Sequence, residues 1–274
     1  MTGIDAVPQL IATDLDGTLV PAGTVAVPKY TASVLRDADR AGIPVVFVTG
    51  RVERWMQGFW PHVGRHGYAI LANGAVTLDV RHRRVIDVHG IHPRLGRAIV
   101  ARLHDALPTA AIAVEVVDGQ RIDLHPTAPS QPDGFAEWKD RGIKILVKAP
   151  RVEPGALRSI VDSTIAGVAT ATWSISGLVE ISALGVTKAL ALRRLASELG
   201  VDRTDVIAFG DMPNDVPMLD WAGRAYAVAD AHPSVTAVAD RIIPAAADEG
   251  VAKEIARLLT IVPTAPVPVD EPAA

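Results

Sequence analysis

Asp14 and Asp16 stand directly after the apolar run Leu10-Ile11-Ala12-Thr13, with Leu15 between them and Gly17-Thr18 following. Two carboxylates this close repel each other unless a proton or a cation intervenes. Oxygen ligands in a chain that has no cysteine suit a hard ion such as Mg²⁺. Gly17 permits a sharp turn, and a plain surface Asp-Gly turn would use the same letters. Thr49 follows the apolar residues 44–48, and its hydroxyl could meet a phosphate oxygen or cap a helix. Lys188 falls in the first turn of a helix, where the dipole disfavours a cation. A bound phosphate would offset that cost; a solvated surface lysine is the plainer reading. Gly210-Asp211-Met212-Pro213-Asn214-Asp215 gathers two carboxylates and an amide after the apolar residues 206–209. A capped helix start with acidic first-turn residues explains Asp211 or Asp215 singly, but not the whole cluster at another strand's end.

These residues need elements to bring them together. Residues 10–13, 44–48 and 206–209 read as buried strands, being short, apolar and largely β-branched. Residues 29–41 have helical spacing and stop at Gly42; residues 186–199 do the same and stop at Gly200. A helix is expected to run from Arg51 through Trp55 and Phe59. Short helical spacing at 213–219, strands at 225–229 and 241–243 and a helix at 250–260 complete the pattern. Strand alternating with helix predicts an α/β fold with a doubly wound parallel sheet, which binds ligands at the carboxyl ends of its strands. The middle has another texture, with half-buried strands at 85–88, 112–117, 143–148 and 178–181 and helices at 91–107 and 154–166. It predicts an α+β domain inserted into the first. The expected organisation is a discontinuous core of residues 1–80 plus 185–262, an insert at 81–184, and a disordered Pro- and Ala-rich tail at 263–274.

Bulk properties narrow the partners. A formal charge of −4 with both signs interspersed argues against a nucleic-acid surface, which needs clustered basic residues. The absence of cysteine removes disulfides, thiolate metal sites and cysteine nucleophiles. No apolar stretch is long enough to span a membrane, and residues 1–9 lack the basic start and apolar run of a secretory signal, so a cytoplasmic location is expected. Monomer and homodimer both stay open.

Together, Asp14-x-Asp16-Gly17-Thr18, Thr49-Gly50-Arg51, Lys188 and Gly210-Asp211-x-x-Asn214-Asp215 resemble the four ordered motifs of the haloacid dehalogenase superfamily. The insert between the second and third motifs resembles the α/β cap of its Cof-type phosphatases, as does Ala72-Asn73-Gly74-Ala75. The resemblance spans nearly the whole chain except the tail. It implies a Rossmann-like core and Mg²⁺-dependent hydrolysis of a small phosphomonoester, such as a sugar phosphate or a phosphorylated cofactor. It makes Asp14 the nucleophile, which becomes an aspartyl-phosphate, and Asp16 the general acid and then the base. Mg²⁺ would be held by Asp14, Asp211 and the backbone carbonyl of Asp16, with Asp215 orienting its waters or Lys188. Thr49, Gly50 and Lys188 would bind the phosphoryl group, and Asn214 would add a polar contact. Arg51 and Asn73 would either touch substrate or steady the loops around it. One departure is Asp230-Ala231, where Cof-type chains often carry Asn-Ala; an ionised Asp cannot donate the amide's hydrogen bond.

Two other functions compete. A phosphomutase of the same superfamily would depend on a bisphosphate activator, and the Asn214-Asp215 ending looks more like the phosphatase pattern. A non-catalytic binding protein would be marked by a lost motif residue, yet Asp14, Asp16, Thr49, Lys188, Asp211 and Asp215 are all present. Other features carry less. His62, His66, His82, His89 and His92 lack a metal-binding spacing. Arg81-His82-Arg83-Arg84 reads as a solvated hinge or hairpin. Trp55 and Trp60 suit either a junction with the insert or the core, and Trp138 and Lys139 suit either a substrate contact or plain surface.

Overall fold

Strict alternation of side chains along short apolar strands sorts this chain into layers. A computed structural model describes residues 7–117, 121–123 and 138–260, so the tail expected at 263–274 lies outside the described residues. The strands are β1 (Leu10–Thr13), β2 (Val45–Val48), β3 (Tyr68–Leu71), β4 (Val76–Asp79), β5 (Arg84–Val88), β6 (Ala111–Val116), β7 (Arg121–Asp123), β8 (Gly142–Lys148), β9 (Ala169–Ile175), β10 (Leu178–Ala183), β11 (Val206–Gly210), β12 (Arg224–Val228) and β13 (Arg241–Ile243). The helices are α1 (Lys29–Arg40), α2 (Pro93–Ala106), α3 (Pro154–Ile165), α4 (Lys188–Glu198), α5 (Val216–Trp221), α6 (Pro233–Thr236) and α7 (Gly250–Leu259).

The first sheet runs β13-β12-β11-β1-β2-β3-β4-β5, parallel from β13 to β3 and extended by the antiparallel β4 and β5. Ile11, Phe47, Ile207 and Phe209 point to one face, which α1 and α7 cover with Val34, Leu35, Ile255 and Leu258. Their neighbours Leu10, Ala12, Val46 and Ala208 point to the other, which α4 and α5 cover with Leu192, Leu195, Met218 and Leu219. Helices on both faces of a parallel sheet make the doubly wound α/β core that the strand–helix alternation predicts. The second sheet runs β7-β6-β8-β10-β9 and is antiparallel throughout. It has α2 and α3 on one face only, packed through Ile99, Leu103, Leu157 and Val161 onto Val114, Ile145 and Ile181. Its other face is left to meet the core.

Several expectations are corrected. The segment 85–88, assigned to the insert by its texture, pairs instead with β4 as the hairpin β4–β5 and closes the large sheet. Residues 80–83 form that hairpin's turn, with Arg83 at φ 49, which agrees with the hairpin reading of Arg81-His82-Arg83-Arg84. No α-helix follows Arg51. Glu53–Trp55 and Trp60–His62 are single 3₁₀ turns, and Pro61 in the second cannot continue a helix; between them Gly58 lies so close to the Val25 carbonyl that a Cβ there would be 1.8 Å from its oxygen. Residues 213–219 divide into a 3₁₀ turn, Pro213–Asp215, and α5. Strands β3, β4, β7 and β9 are additions to the sequence pattern.

Trp138, which suited a substrate contact or plain surface, is neither. It is 1% exposed inside the insert, its Nε1 donates to the Asp140 carbonyl at 2.5 Å, and its ring lies over Gly96 of α2. A Cβ at Gly96 would be 1.9 Å from the indole. Alanine is the better helix former by about 1 kcal/mol, whereas overpacking a core costs about 1–3 kcal/mol. The fixed ring decides the sign. Gly96→Ala should lower unfolding stability by about 1–2 kcal/mol in a urea titration; a stabilised variant would show that Trp138 yields readily.

Candidate active site

The parallel register brings the separate motifs to one edge. Asp14 begins where β1 ends, and its N–H donates to the Phe209 carbonyl at 3.1 Å, so the segment after β1 lies beside the segment after β11. Gly17 turns the chain back at φ 85, where a Cβ would be 2.4 Å from Asp211 Oδ2. Both the backbone angle and the missing side chain are needed for this approach. Thr18 then donates its hydroxyl to Asp211 Oδ1 at 2.6 Å. Asp211 is further fixed through its own carbonyl, which accepts from the His232 N–H at 2.8 Å.

Lys188 opens α4, whose N-terminus Thr187 caps by accepting from Leu190 N at 3.1 Å. The lysine is 2% exposed, and its Nζ donates to Asp14 Oδ1 and to Asp215 Oδ1, each at 2.6 Å. Sequence reasoning named phosphate as the partner that would compensate a cation at this helix end; the compensation present is this pair of carboxylates. Asp215 is 0% exposed, and its Oδ2 accepts from the backbone N–H groups of Asp211 and Met212 at 3.2 and 3.0 Å. It therefore binds the loop to itself while it steadies Lys188.

Asp14, Asp211 and Asp215 offer carboxylate oxygens that all lie within 4.8 Å of one another. With Lys188 this makes three carboxylates against one ammonium. Burial pushes Asp14 well above the usual carboxylate range; Lys188 pulls it back, and Asp215 and Asp211 push it further up. Burial and then Asp215 push Asp211 up to about 6. Burial alone would lower Lys188, but Asp14 and Asp215 outweigh this and hold it above its ordinary value. The amide oxygen of Asn214 is buried and unpaired among the described residues. An excess of buried negative charge on oxygen ligands is compatible with a hard-cation site. Asp16, assigned to the metal through its backbone carbonyl, adds no carboxylate to this trio.

Asp16 is held elsewhere on the rim. Arg51 grips it with two bonds, Nε to Oδ2 at 2.7 Å and Nη2 to Oδ1 at 2.5 Å. The same guanidinium donates to the carbonyls of Thr24 and Trp55 at 2.7 and 3.0 Å and lies over the Phe59 ring. Arg51 thus steadies two loops as well as Asp16. Thr49 is 1% exposed, and its hydroxyl accepts from Arg51 N at 3.1 Å. Asn73 sits in the left-handed region at φ 59, directly before Gly74, and accepts from the Asn214 amide at 3.2 Å. A Cβ at Gly74 would be 2.3 Å from the Thr187 carbonyl, which explains the glycine. Asp230 is exposed in the turn after β12.

The insert supplies residues that the motifs did not reveal. Along β6, β8 and β10, Val114, Val116, Ile145, Val147, Val179 and Ile181 pack with α2 and α3, and Glu115, Lys144 and Glu180 face the core, each about 95% buried or more. Lys144 Nζ donates to Glu180 Oε1 at 2.6 Å and to the Gly50 carbonyl at 2.5 Å. Glu180 Oε2 accepts from Asn73 Nδ2 at 2.8 Å. Glu115 takes both terminal nitrogens of Arg54. Between the two layers lies a cavity of about 420 Å³. It is lined from below by Asp14, Asp16, Thr49, Gly50, Arg51, Asp211 and Asn214, and from above by Glu115, Lys144, Leu146, Leu178 and Glu180. Trp55, 58% exposed, stands at its side. The only sequence signal for the upper residues is a charge at an alternating position in an apolar strand, such as Lys144 between Ile143 and Ile145. The histidines disperse: His66 pairs with Asp39, His82 with Asp79 and His89 with Asp87.

A family model described as haloacid dehalogenase-like hydrolase matches residues 11–255. The chain belongs to that family. It is 28% identical over 244 residues to an HMP-PP phosphatase of Yersinia pseudotuberculosis, a match that covers 83% of this chain and 86% of the relative. Its fold matches that of a protein from Bacteroides thetaiotaomicron, described among phosphatases of the superfamily, with a TM-score of 0.78, 22% identity and 95% and 97% of the two chains covered. It also matches a subclass IIB sugar phosphatase with a TM-score of 0.75, 19% identity and coverage of 92% and 99%. Among the described residues, no helix is long and apolar enough to cross a membrane.

The charge imbalance has a measurable consequence. Asp211 moves from an ordinary 3.8 to about 6, so across that window the folded chain binds more protons than the unfolded chain. Its contribution to stability is fully present below 3.8 and is lost as pH rises through 6. In EDTA, the Tm of the wild type should therefore fall relative to that of Asp211→Asn between pH 4 and pH 6 (about two units). Parallel pH profiles for the two proteins would contradict the assigned burden on Asp211.

Proposed function

We propose that this haloacid dehalogenase-type phosphatase hydrolyses a small phosphomonoester in two displacements at Asp14. The observation that carries the reading is the placement of Asp14: at a strand's carboxyl end, bonded to a buried lysine, and facing a cavity roofed by the insert. In open α/β sheets this edge is where ligands bind. The name of the Yersinia relative and the sugar phosphatase among the structural matches point the same way.

In the first displacement an oxygen of Asp14 attacks phosphorus, and the bond from phosphorus to the leaving oxygen breaks. Asp16 gives that oxygen a proton, so an alcohol departs. In the second, Asp16 takes a proton from water as the water attacks the aspartyl-phosphate; Asp14 is regenerated and phosphate leaves. Splitting one difficult substitution into two in this way needs a nucleophile and a reversible acid on opposite sides of one phosphoryl group. Thr49 and Lys188 are the donors assigned to the phosphoryl oxygens, whose charge is the main quantity to stabilise in such a transfer. Arg51 orients Asp16 through its two-pronged contact. Asp14 and Asp211, with the backbone carbonyl of Asp16, are assigned to hold Mg²⁺, and Asp215 supports them through Lys188 and the 211–212 backbone. When bound, that ion screens the repulsion between Asp14 and an incoming phosphate dianion. Cavity size and closure favour a small metabolite, because a lid over the site excludes bulk water and limits the leaving group.

The reading is tested by release of inorganic phosphate from a panel of small phosphomonoesters that includes p-nitrophenyl phosphate. Release should require Mg²⁺ and cease in EDTA. Asp14→Asn, close in shape to the wild type, should reduce kcat about a thousandfold or more, since it removes the nucleophile. Turnover by this variant within about tenfold of wild type would remove Asp14 from the role.

A further inference from the structure

The insert does more than cover the site. Lys144 and Glu180 occupy its inward face, in the same cavity as Asp14. A buried lysine presents three N–H bonds. Two of those of Lys144 are directed to Glu180 Oε1 and the Gly50 carbonyl. Each carboxylate oxygen of Glu180 takes one bond, from Lys144 and from Asn73, which leaves each with a second acceptor position. The cavity wall at this point therefore offers a donor directly beside an acceptor. Leu146 and Leu178 flank the pair with apolar surface, and Trp55 adds an exposed ring. A hydroxyl group both donates and accepts, and a ring or chain carrying neighbouring hydroxyls on a carbon frame satisfies both kinds of wall at once.

Resting on the phosphatase reading, we propose that Lys144 is a substrate-binding residue that selects a hydroxylated leaving group, a sugar or polyol phosphate, by donating its third N–H to a hydroxyl oxygen. Glu180 is its positioning residue: it holds the ammonium in place and is itself held by Asn73, which is bonded in turn to Asn214. The selecting group is thereby fixed relative to the phosphate site through a short chain of side chains. A bond from a charged donor to a substrate hydroxyl discriminates strongly, because without the hydroxyl the buried donor is left unpaired.

The alternative is that Lys144 merely latches the insert to Gly50. A cycle of substrate and protein changes separates the two. Wild type and Lys144→Met are assayed with hexose and polyol phosphates, their monodeoxy analogues and p-nitrophenyl phosphate. In the wild type, at least one deoxy position should lose about tenfold or more in kcat/KM. In Lys144→Met the parent substrate should fall to near the deoxy level, and the deoxy substrate should fall little further. Should that variant not fold, the wild-type deoxy series and Lys144→Gln, which keeps a donor, still decide the matter. Penalties that multiply independently overturn the proposal, as does a flat deoxy series, or turnover of p-nitrophenyl phosphate with every hydroxylated phosphate refused. No turnover of any phosphomonoester overturns the phosphatase reading beneath it.

Discussion

One buried ammonium makes this site possible. Lys188 lies between Asp14 and Asp215 and bonds both at 2.6 Å, in a place where neither carboxylate has water to solvate it. Isolated charges at that depth would cost several kcal/mol each. The ammonium also sits at the unfavourable end of a helix dipole, so helix and carboxylates act on it in opposite directions and the carboxylates prevail. The remaining imbalance is one of sign: Asp211 joins the group without a second cation from the protein among the described residues. The arrangement is therefore stable enough to form and still attractive to an external positive charge.

The strands explain why these residues can be so far apart in sequence. β1 and β11 are neighbours in register, and α4 packs under them through Leu192 and Leu195. Asp14, Lys188 and Asp211 are thus fixed by three separately anchored elements, two strands buried along their whole length and one helix buried along its inner face. A strand end is a precise mount because the parallel ladder fixes its height and the helix packing fixes its tilt. Loops alone would not hold donors at 2.6 Å. The glycines serve the same end, Gly17 by bringing the first loop onto Asp211 and Gly74 by bringing the Asn73 turn onto Thr187.

How legible this was in the sequence follows from the same physics. Strands β1, β2 and β11 show as unbroken apolar runs because both their faces are covered, and the polar residues at their ends stand out against them. That contrast is what made the motif residues of the core readable. β9, with Ala169-Thr170-Ala171-Thr172-Trp173 alternating small and polar residues, gave too little apolar signal to register as a strand. Strand β5 reads as part of the insert for a related reason: it is only partly buried and has the texture of the insert. The helix expected after Arg51 through Trp55 and Phe59 gives way to two short turns, the second holding Pro61, which lacks the N–H that a continuing helix needs. Lys144, Glu115 and Glu180 could be seen only as polar interruptions in strands, since their partners Gly50, Arg54 and Asn73 lie in another part of the chain.

The two halves of the site are built to different standards, and this bears on how such a protein could change its substrate. The core side is set by ladders and packed helices, where a residue cannot shift without disturbing two layers. The insert side rests on a sheet with helices on one face only, joined to the core through the 88–93 and 183–188 segments and through a few polar contacts. A side chain on that open face, such as Leu146 or Leu178, borders the cavity and no helix. Replacing it alters the cavity while leaving the insert's apolar layer of Val114, Ile145 and Ile181 intact. Phosphate chemistry is thereby coupled to the stability of the fold, and choice of leaving group is largely uncoupled from it. Lys144 and Glu180 are the exception, because they border the cavity and also tie the insert to Gly50 and Asn73, so a change there alters both the shape of the cavity and the fit of its roof.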